Sequence, residues 1–500
     1  MALVKSQHRF CIACLLLFIP GIGVYAGADQ CLTCHEALGD KPSTLFKQDI
    51  HHGKGISCAG CHGGNERSED MEKAMSKDAG FIGIPKGDDI SKMCATCHSS
   101  PEKMKQFGST VPVGQLAQLE QSVHGKLSTS GKQHIAQCTT CHNAHGIVSV
   151  KDARSPVHPL NIVNTCASCH SNATIMRAYN PSLAVDQREK YRTSVHGMRN
   201  AKGDGKAAEC ASCHGSHDIR SHTDAKSRVY PLNIPSTCAT CHSNPDYMKP
   251  YGIPTDQFDK FTNSVHGKAL FVKQDLGAPA CNDCHGNHGA TPPGVESVSK
   301  VCGTCHALNA DLFSSSPHKK AFDELGLPEC ATCHGNHEIA PATSALLGGS
   351  PDAVCSQCHS PTENAKGYAT AVDMRTMIDS LQASEQTARG LVDEAEQKGM
   401  AISDAQFTLR TAHQARLESR TIVHAFNDER FRGVVNKGFA AAMSARRDAE
   451  EAIREYYFRR IGLSVATLII TLLAVSLWFY IKRLDRRIAP AKASQREAGT

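Results

Sequence analysis

Large aromatic side chains are scarce in this chain. They make up 5% of its 500 residues, with one Trp, too few of the bulky apolar groups that normally fill the core of a protein this long. Something other than side chains must supply buried area. A strong charge of one sign is lacking too: the formal net charge is +5, which gives no support to a nucleic-acid partner. Cysteine stops at Cys358, and no proline lies between Pro361 and Pro490. What the chain has in excess is Cys (24), His (27) and Gly (39).

Two apolar runs stand out. Lys5 and Arg9 flank the start of the run 10–19, Pro20 and Gly21 break it, and Ala26-Gly27-Ala28 gives a small-x-small cleavage site. Residues 1–28 therefore read as an export signal that is removed, along with Cys11 and Cys14. The run 461–481 is uncharged and of membrane-spanning length, with Trp478 and Tyr480 near its end and Lys482, Arg483, Arg486 and Arg487 just after it. That pattern predicts one transmembrane helix, a cytoplasmic basic tail over 482–500 and a body outside the cytoplasm.

The remaining 22 cysteines form eleven C-x-x-C pairs, each followed at once by histidine. They are Cys31/Cys34/His35, Cys58/Cys61/His62, Cys94/Cys97/His98, Cys138/Cys141/His142, Cys166/Cys169/His170 and Cys210/Cys213/His214. The others are Cys238/Cys241/His242, Cys281/Cys284/His285, Cys302/Cys305/His306, Cys330/Cys333/His334 and Cys355/Cys358/His359. Zinc knuckles and disulfides also use paired cysteines, but neither explains a histidine after every pair. C-x-x-C-H is the attachment site of c-type haem: two thiols form thioethers and the imidazole binds iron. Eleven covalent haems are expected, one per 30 residues between Cys31 and His359 (329/11). Their apolar plates would replace the missing core, and 22 propionates would offset the basic excess.

The motifs repeat in pairs. "PLNIVNTCASCHSN" at Pro159 returns as "PLNIPSTCATCHSN" at Pro231, 72 residues on. One haem followed by five two-haem units is the implied plan. Histidines outside the motifs recur in two classes. His52, His124, His196, His266 and His318 precede each unit; His145, His217, His288 and His337 lie three residues after a motif histidine. These are expected as distal iron ligands. His134, His158 and His222 do not recur and read as loop residues. Met104, Met176 and Met248 recur, but Leu312 holds the equivalent position, so that site packs rather than ligates. Nine recurrent distal histidines against eleven motifs leaves two short, at the N-terminal end, where Asn65 replaces the second-class histidine; the candidates to fill the gap are His51, His134, His158, His222, His413 and His424.

Beyond 362 the composition turns to Ala, Glu, Gln and Arg. Helices are predicted over 370–398, from a cap near Ser403/Asp404 to about 426, and from about 428 into the apolar run. The bland reading of 363–460 is a helical hairpin acting as a stalk. His424, set among apolar residues, is a candidate distal ligand for a late haem; His413 reads as a surface residue.

The CxxCHxxH units with preceding SVHG histidines resemble the multihaem c-type cytochromes with doubled CxxCH motifs, related to the decahaem respiratory cytochromes, over about residues 29–360. The resemblance implies bis-histidine, low-potential haems that relay electrons between the quinone pool and terminal reductases or outer-membrane conduits. One departure stands out. The small tetrahaem quinol-oxidising cytochromes carry their membrane helix at the N-terminus, whereas here it is C-terminal. The expectation is a mainly α and irregular protein: a haem domain over 29–362 with short helices around packed haems, then the helical stalk and one transmembrane helix. It would be an inner-membrane, single-pass carrier with periplasmic haems, exchanging electrons with quinone-linked inner-membrane proteins and with other periplasmic or outer-membrane cytochromes. The alternative is a reductase of a nitrogen or sulfur oxyanion with one open haem, although no motif histidine is replaced by lysine as in the pentahaem nitrite reductases.

Overall fold

The computed structural model describes residues 29–128, 131–294 and 298–497, and side chains up to 487. The expected export signal, 1–28, lies outside the described residues. Two compact units are present: 1–233 with 288–290, and 234–287 with 291–500. Among the described residues there is no β-strand, only one bridge between Leu127 and His134.

The first unit is built from helices of 4 to 11 residues. Several motifs form a single turn, such as Cys138–His142 and Cys210–His214. These turns end on a residue with positive φ: Asn143 at 67° and Gly215 at 81°. Gly215 takes this conformation with little steric cost, whereas Asn143, with ψ at 170°, holds it as a strained residue.

The S-V-H-G segments have their own geometry. Ser194 ends the helix Gln187–Thr193 and caps the helix Val195–Ala201. Its Oγ donates to Tyr191 O (2.6 Å) and accepts from Gly197 N (2.9 Å). One buried hydroxyl thus satisfies two helix ends at once. Glycine follows the histidine because a Cβ at Gly197 would stand 1.9 Å from Tyr191 O. Ser122/Gly125 and, in the second unit, Ser264/Gly267 repeat this arrangement.

The second unit carries the later motifs and a three-helix bundle. Its helices are Ala365–Gln397, Ser403–Ile422 and Asp428–Glu497. The hairpin expectation is extended by the third helix, which runs without a break into the apolar run. Near the haem motifs the bundle core is Met374, Ile378, Leu381, Ile422, Phe431 and Val435; further along it is mainly alanine, with Val392 and Leu409. Small side chains allow close helix approach: a Cβ at Gly438 would sit 2.9 Å from Leu381. At the far end Lys398 lies over Tyr456 and Tyr457, 5.2 and 5.1 Å from the ring centres. Every side chain from 461 to 481 is exposed, and this helix is long and apolar enough to cross a membrane.

One charge is buried in the bundle. Glu385, 4% exposed, accepts from His413 Nδ1 (2.8 Å), Arg416 Nε (2.6 Å) and Arg389 (3.1 Å). His413, read from sequence as a surface residue, is 42% exposed and also bonds across to another helix. Burial alone would raise the Glu385 pKa; Arg416, then His413 and Arg389, outweigh it and hold the carboxyl below its usual range. The ionised form thus stabilises the bundle above the unfolded glutamate pKa of about 4.3, and that contribution disappears as pH falls through the lower folded value. Glu385→Ala, which strands Arg416, should cost the bundle about 3 kcal/mol. Thermal unfolding followed by far-UV circular dichroism would show it, and an unchanged melting temperature would contradict this account.

Candidate functional site

Among the described residues no motif cysteine forms a disulfide, and all are partly or fully exposed. Successive motifs meet through their first cysteines. Cys94 and Cys138 share a hydrogen bond, as do Cys166 and Cys210, Cys238 and Cys281, and Cys302 and Cys330.

The second cysteines depart from this pattern. Cys34, Cys97, Cys169, Cys213 and Cys305, all expected as haem attachment points, take no part in those four thiol-to-thiol bonds. Cys34, Cys213 and Cys305 are exposed, while the first cysteines of the same pairs, Cys31, Cys210 and Cys302, are half-buried. Cys97 and Cys169 are half-buried, and each accepts a hydrogen bond from the hydroxyl just before it, Thr96 or Ser168, at 3.9 Å. The reason is local. The first cysteine opens the turn and takes the contact with the neighbouring motif, and the second is left on the turn behind it. The second thiols still lie near other motifs: after burial, Cys169 contributes to raising the Cys141 pKa, and Cys302 and Cys305 to raising that of Cys284.

Among the described residues no three His, Cys, Asp or Glu side chains converge as a zinc centre requires. The histidines instead face one another across gaps.

The second-class histidines form one set. His145 faces His62 with ring centres 6.0 Å apart and planes 14° from parallel. His217 faces His142 (6.2 Å, 12°) and His288 faces His214 (6.1 Å, 17°). In the second unit His337 faces His285 (6.0 Å, 13°). Each donor follows a motif histidine by three residues and faces the histidine two motifs earlier. His424, carried by the short helix Val423–Ala425 of the stalk, faces His334 at 6.0 Å and 24°. It completes the set where no further motif exists to supply a donor.

The first-class histidines form a second set with planes turned further from parallel. His124 faces His170 (6.0 Å, 65°), His266 faces His306 (6.3 Å, 31°) and His318 faces His359 (5.9 Å, 81°). Each ring lies two residues past the cap, and for His124 and His266 the serine hydroxyl accepts a backbone N–H of the following turn. Just before the ring, the Val123 N–H donates to Ile219 O (2.8 Å) and the Val265 N–H to Ile339 O (2.9 Å). Each acceptor lies two residues beyond a second-class histidine, so one backbone bond couples the two sets. His196 and His242 also have interacting neighbours.

The first unit departs from the expected register. His51, not His52, faces His98 (5.9 Å, 90°). Asp49 plays the part of the capping serine: it accepts from His51 N (2.9 Å), and the Ile50 N–H donates to Ile147 O (2.7 Å). The ring two residues past the cap is His51. His52 occupies the position held by Gly125, Gly197 and Gly267, is exposed, and lies edge-on to Phe46 at 5.3 Å. Aligning sequence on "HGK" hides this; aligning on the capping residue would have found His51.

The pairs fit a haem iron. Two imidazoles bound to one metal by bonds of about 2 Å have ring centres about 6 Å apart, and all these pairs lie between 5.9 and 6.3 Å. Burial, and after it the opposing ring, pushes His98, His214 and His334 below the usual histidine range. They are therefore neutral, the state that offers a lone pair to a metal. The outer nitrogens are oriented too: His62 Nδ1 faces Gly83 O (2.9 Å), His285 Nδ1 faces Thr291 O (3.2 Å) and His35 Nδ1 faces the Asp40 carboxylate (2.5 Å). Met104, Met176, Met248 and Leu312 are buried at equivalent positions. His134 pairs with Asp88 (3.0 Å) and His158 accepts from Leu160 N (3.2 Å).

Known proteins point the same way. A cytochrome c3 family profile matches residues 50–171 and 275–360, and a cytochrome c554 and c-prime profile matches 23–63. The C-type polyheme cytochrome OmcC of Geobacter sulfurreducens is 22% identical over 303 residues, 54% of this chain and 38% of its own. The multiheme cytochrome MtrA of Shewanella baltica is 27% identical over 221 residues, 42% of this chain and 58% of its own. The chain thus spans less than two thirds of the length of either relative. No solved structure matches. With motifs, facing imidazoles and relatives in agreement, the chain is a multihaem c-type cytochrome. It binds haem c covalently.

Ring orientation makes a spectroscopic prediction. Each axial imidazole donates π density into one iron d orbital, so parallel rings split the d pair and crossed rings leave it nearly degenerate. The oxidised protein should show two low-spin EPR populations: ordinary rhombic signals from the near-parallel pairs and strongly anisotropic low-field signals from the steeply crossed pairs His51/His98, His124/His170 and His318/His359. A single rhombic class would contradict the geometry.

Proposed function

We propose that all eleven motifs carry haem c, through exposed second thiols such as Cys34, Cys213 and Cys305 as well as the half-buried ones, and that the chain relays electrons in anaerobic respiration. Its haem domain lies in the periplasm, anchored to the inner membrane by 461–481 with a cytoplasmic tail. The observation that carries this reading is the double set of facing histidines, because bis-ligated iron exchanges electrons without offering a substrate site. Close cysteine contacts between successive motifs support a path from haem to haem.

The donor is a quinone-linked membrane protein or a cytochrome it reduces, not quinol in the lipid. Phe426 packs on His318 at the haem end of the bundle (3.8 Å). From Phe431 at that end to Ile461 the helix advances thirty residues, about 45 Å at 1.5 Å per residue. The haems nearest the stalk are thereby held well clear of the bilayer. Other multihaem cytochromes, periplasmic or in the outer membrane, are the acceptors.

Two experiments test the reading. A chain ending at Arg460 should appear in the soluble periplasmic fraction with its full haem content; retention in the membrane fraction would disprove the anchor. Purified full-length protein should be reduced by a quinol analogue only when a quinol-oxidising partner is added, and fast reduction without one would overturn the stand-off argument. His196→Met should raise the potential of one haem while leaving haem attachment intact, since thioether ligation favours ferrous iron. An unchanged redox titration would remove His196 from the ligands.

A further inference from the structure

The two rules that supply distal histidines elsewhere both fail at His35. By the first, the donor follows a motif histidine by three residues and serves the histidine two motifs earlier, as His145 serves His62. For His35 that position is Pro101, the first residue of the helix Pro101–Gln106, which has no ring nitrogen to offer a metal. By the second, the donor precedes one motif and serves the next, as His124 serves His170. For His35 it would lie ahead of Asp29, outside the described residues. Among the described residues no second imidazole faces His35 at the 5.9–6.3 Å spacing of the other pairs. Its nearest sequence candidates are otherwise engaged: His51 faces His98, and His52 rests on buried Phe46.

His35 also has a distinct partner behind it. His62 and His285 face backbone carbonyls, whereas His35 Nδ1 faces the Asp40 carboxylate at 2.5 Å. Asp40 is held in place as the cap of the helix Lys41–Phe46, accepting from Ser43 N at 2.9 Å. A carboxylate draws the ring proton more strongly than a carbonyl does, so the other nitrogen becomes a stronger donor to a metal. An iron made electron-rich on one side binds π-accepting ligands well on the other.

We propose that the iron held by His35 receives no second histidine from the described residues and takes a small π-accepting inorganic ligand in its sixth position. This rests on the haem reading of the motif Cys31–His35 and adds a ligand-binding site to the relay. Carbon monoxide is the probe, added to the dithionite-reduced full-length holoprotein, with covalent haem counted in parallel by pyridine haemochrome. Eleven haems and one CO per chain are expected, with one high-spin ferric haem in the EPR spectrum. Asp40→Asn should keep the CO but move its stretching frequency upward, as weaker donation from His35 reduces back-bonding; His52→Ala should leave CO binding unchanged. Eleven haems with no CO bound, or CO bound only after His52→Ala, would overturn the proposal and make the first haem an ordinary relay member. A CO stretch unmoved by Asp40→Asn would place the open iron elsewhere. A count below eleven would instead undermine the haem assignment itself.

Discussion

Two imidazoles held about 6 Å apart are the constraint on which the haem-bearing part of this chain depends. That spacing suits one metal between two nitrogens, and it joins residues far apart in sequence: His62 with His145, His214 with His288, His334 with His424. A fold organised this way needs few large side chains. Many of its buried residues are capping serines and single apolar contacts such as Met104, Met176 and Met248, and the porphyrins supply the apolar area that the composition withholds. Short helices suffice, because each has only to aim one imidazole.

The aiming is done by hydrogen bonds more than by packing. A buried serine ends one helix and starts the next, glycine lets the backbone pass close to the preceding carbonyl, and the N–H just before the distal histidine is bound to the loop carrying the other histidine class. Where the pattern changes, the chemistry changes with it. Pro317 precedes His318 at the last such position, where no further CxxCHxxH loop exists to accept an N–H. Asp49 replaces serine in the first unit and carries the ring forward to His51.

The bundle follows ordinary rules. Its helices are long, its seam is apolar and alanine-rich, and its single buried carboxylate is matched by Arg416, His413 and Arg389. It nonetheless enters the haem chemistry, because the turn after its second helix places His424 opposite His334. One segment thus combines spacer, ligand carrier and candidate anchor.

Much was legible from the sequence alone. The C-x-x-C-H motif is local, so attachment chemistry needs five consecutive residues and no tertiary structure. Internal repetition stood in for comparison among relatives and picked out both classes of extra histidine. Helices, spanning run and repeat lengths likewise depend on short-range periodicity. Which histidine faces which was not legible, because facing rings belong to different repeats and meet only when loops close. The inequality of the two thiols in a motif was hidden for the same reason: Cys210 meets Cys166 from another motif, and Cys213 does not. The His51 register was hidden because identical neighbours differ only in their distance from a capping side chain. The bond from His413 to Glu385 was hidden because Glu385 lies on another helix. The sequence by itself determined the cofactor and the ligand types, since covalent chemistry is written in adjacent residues; only the tertiary structure decided pairings, ring planes and the odd position of His35, since these are set by contacts across loops.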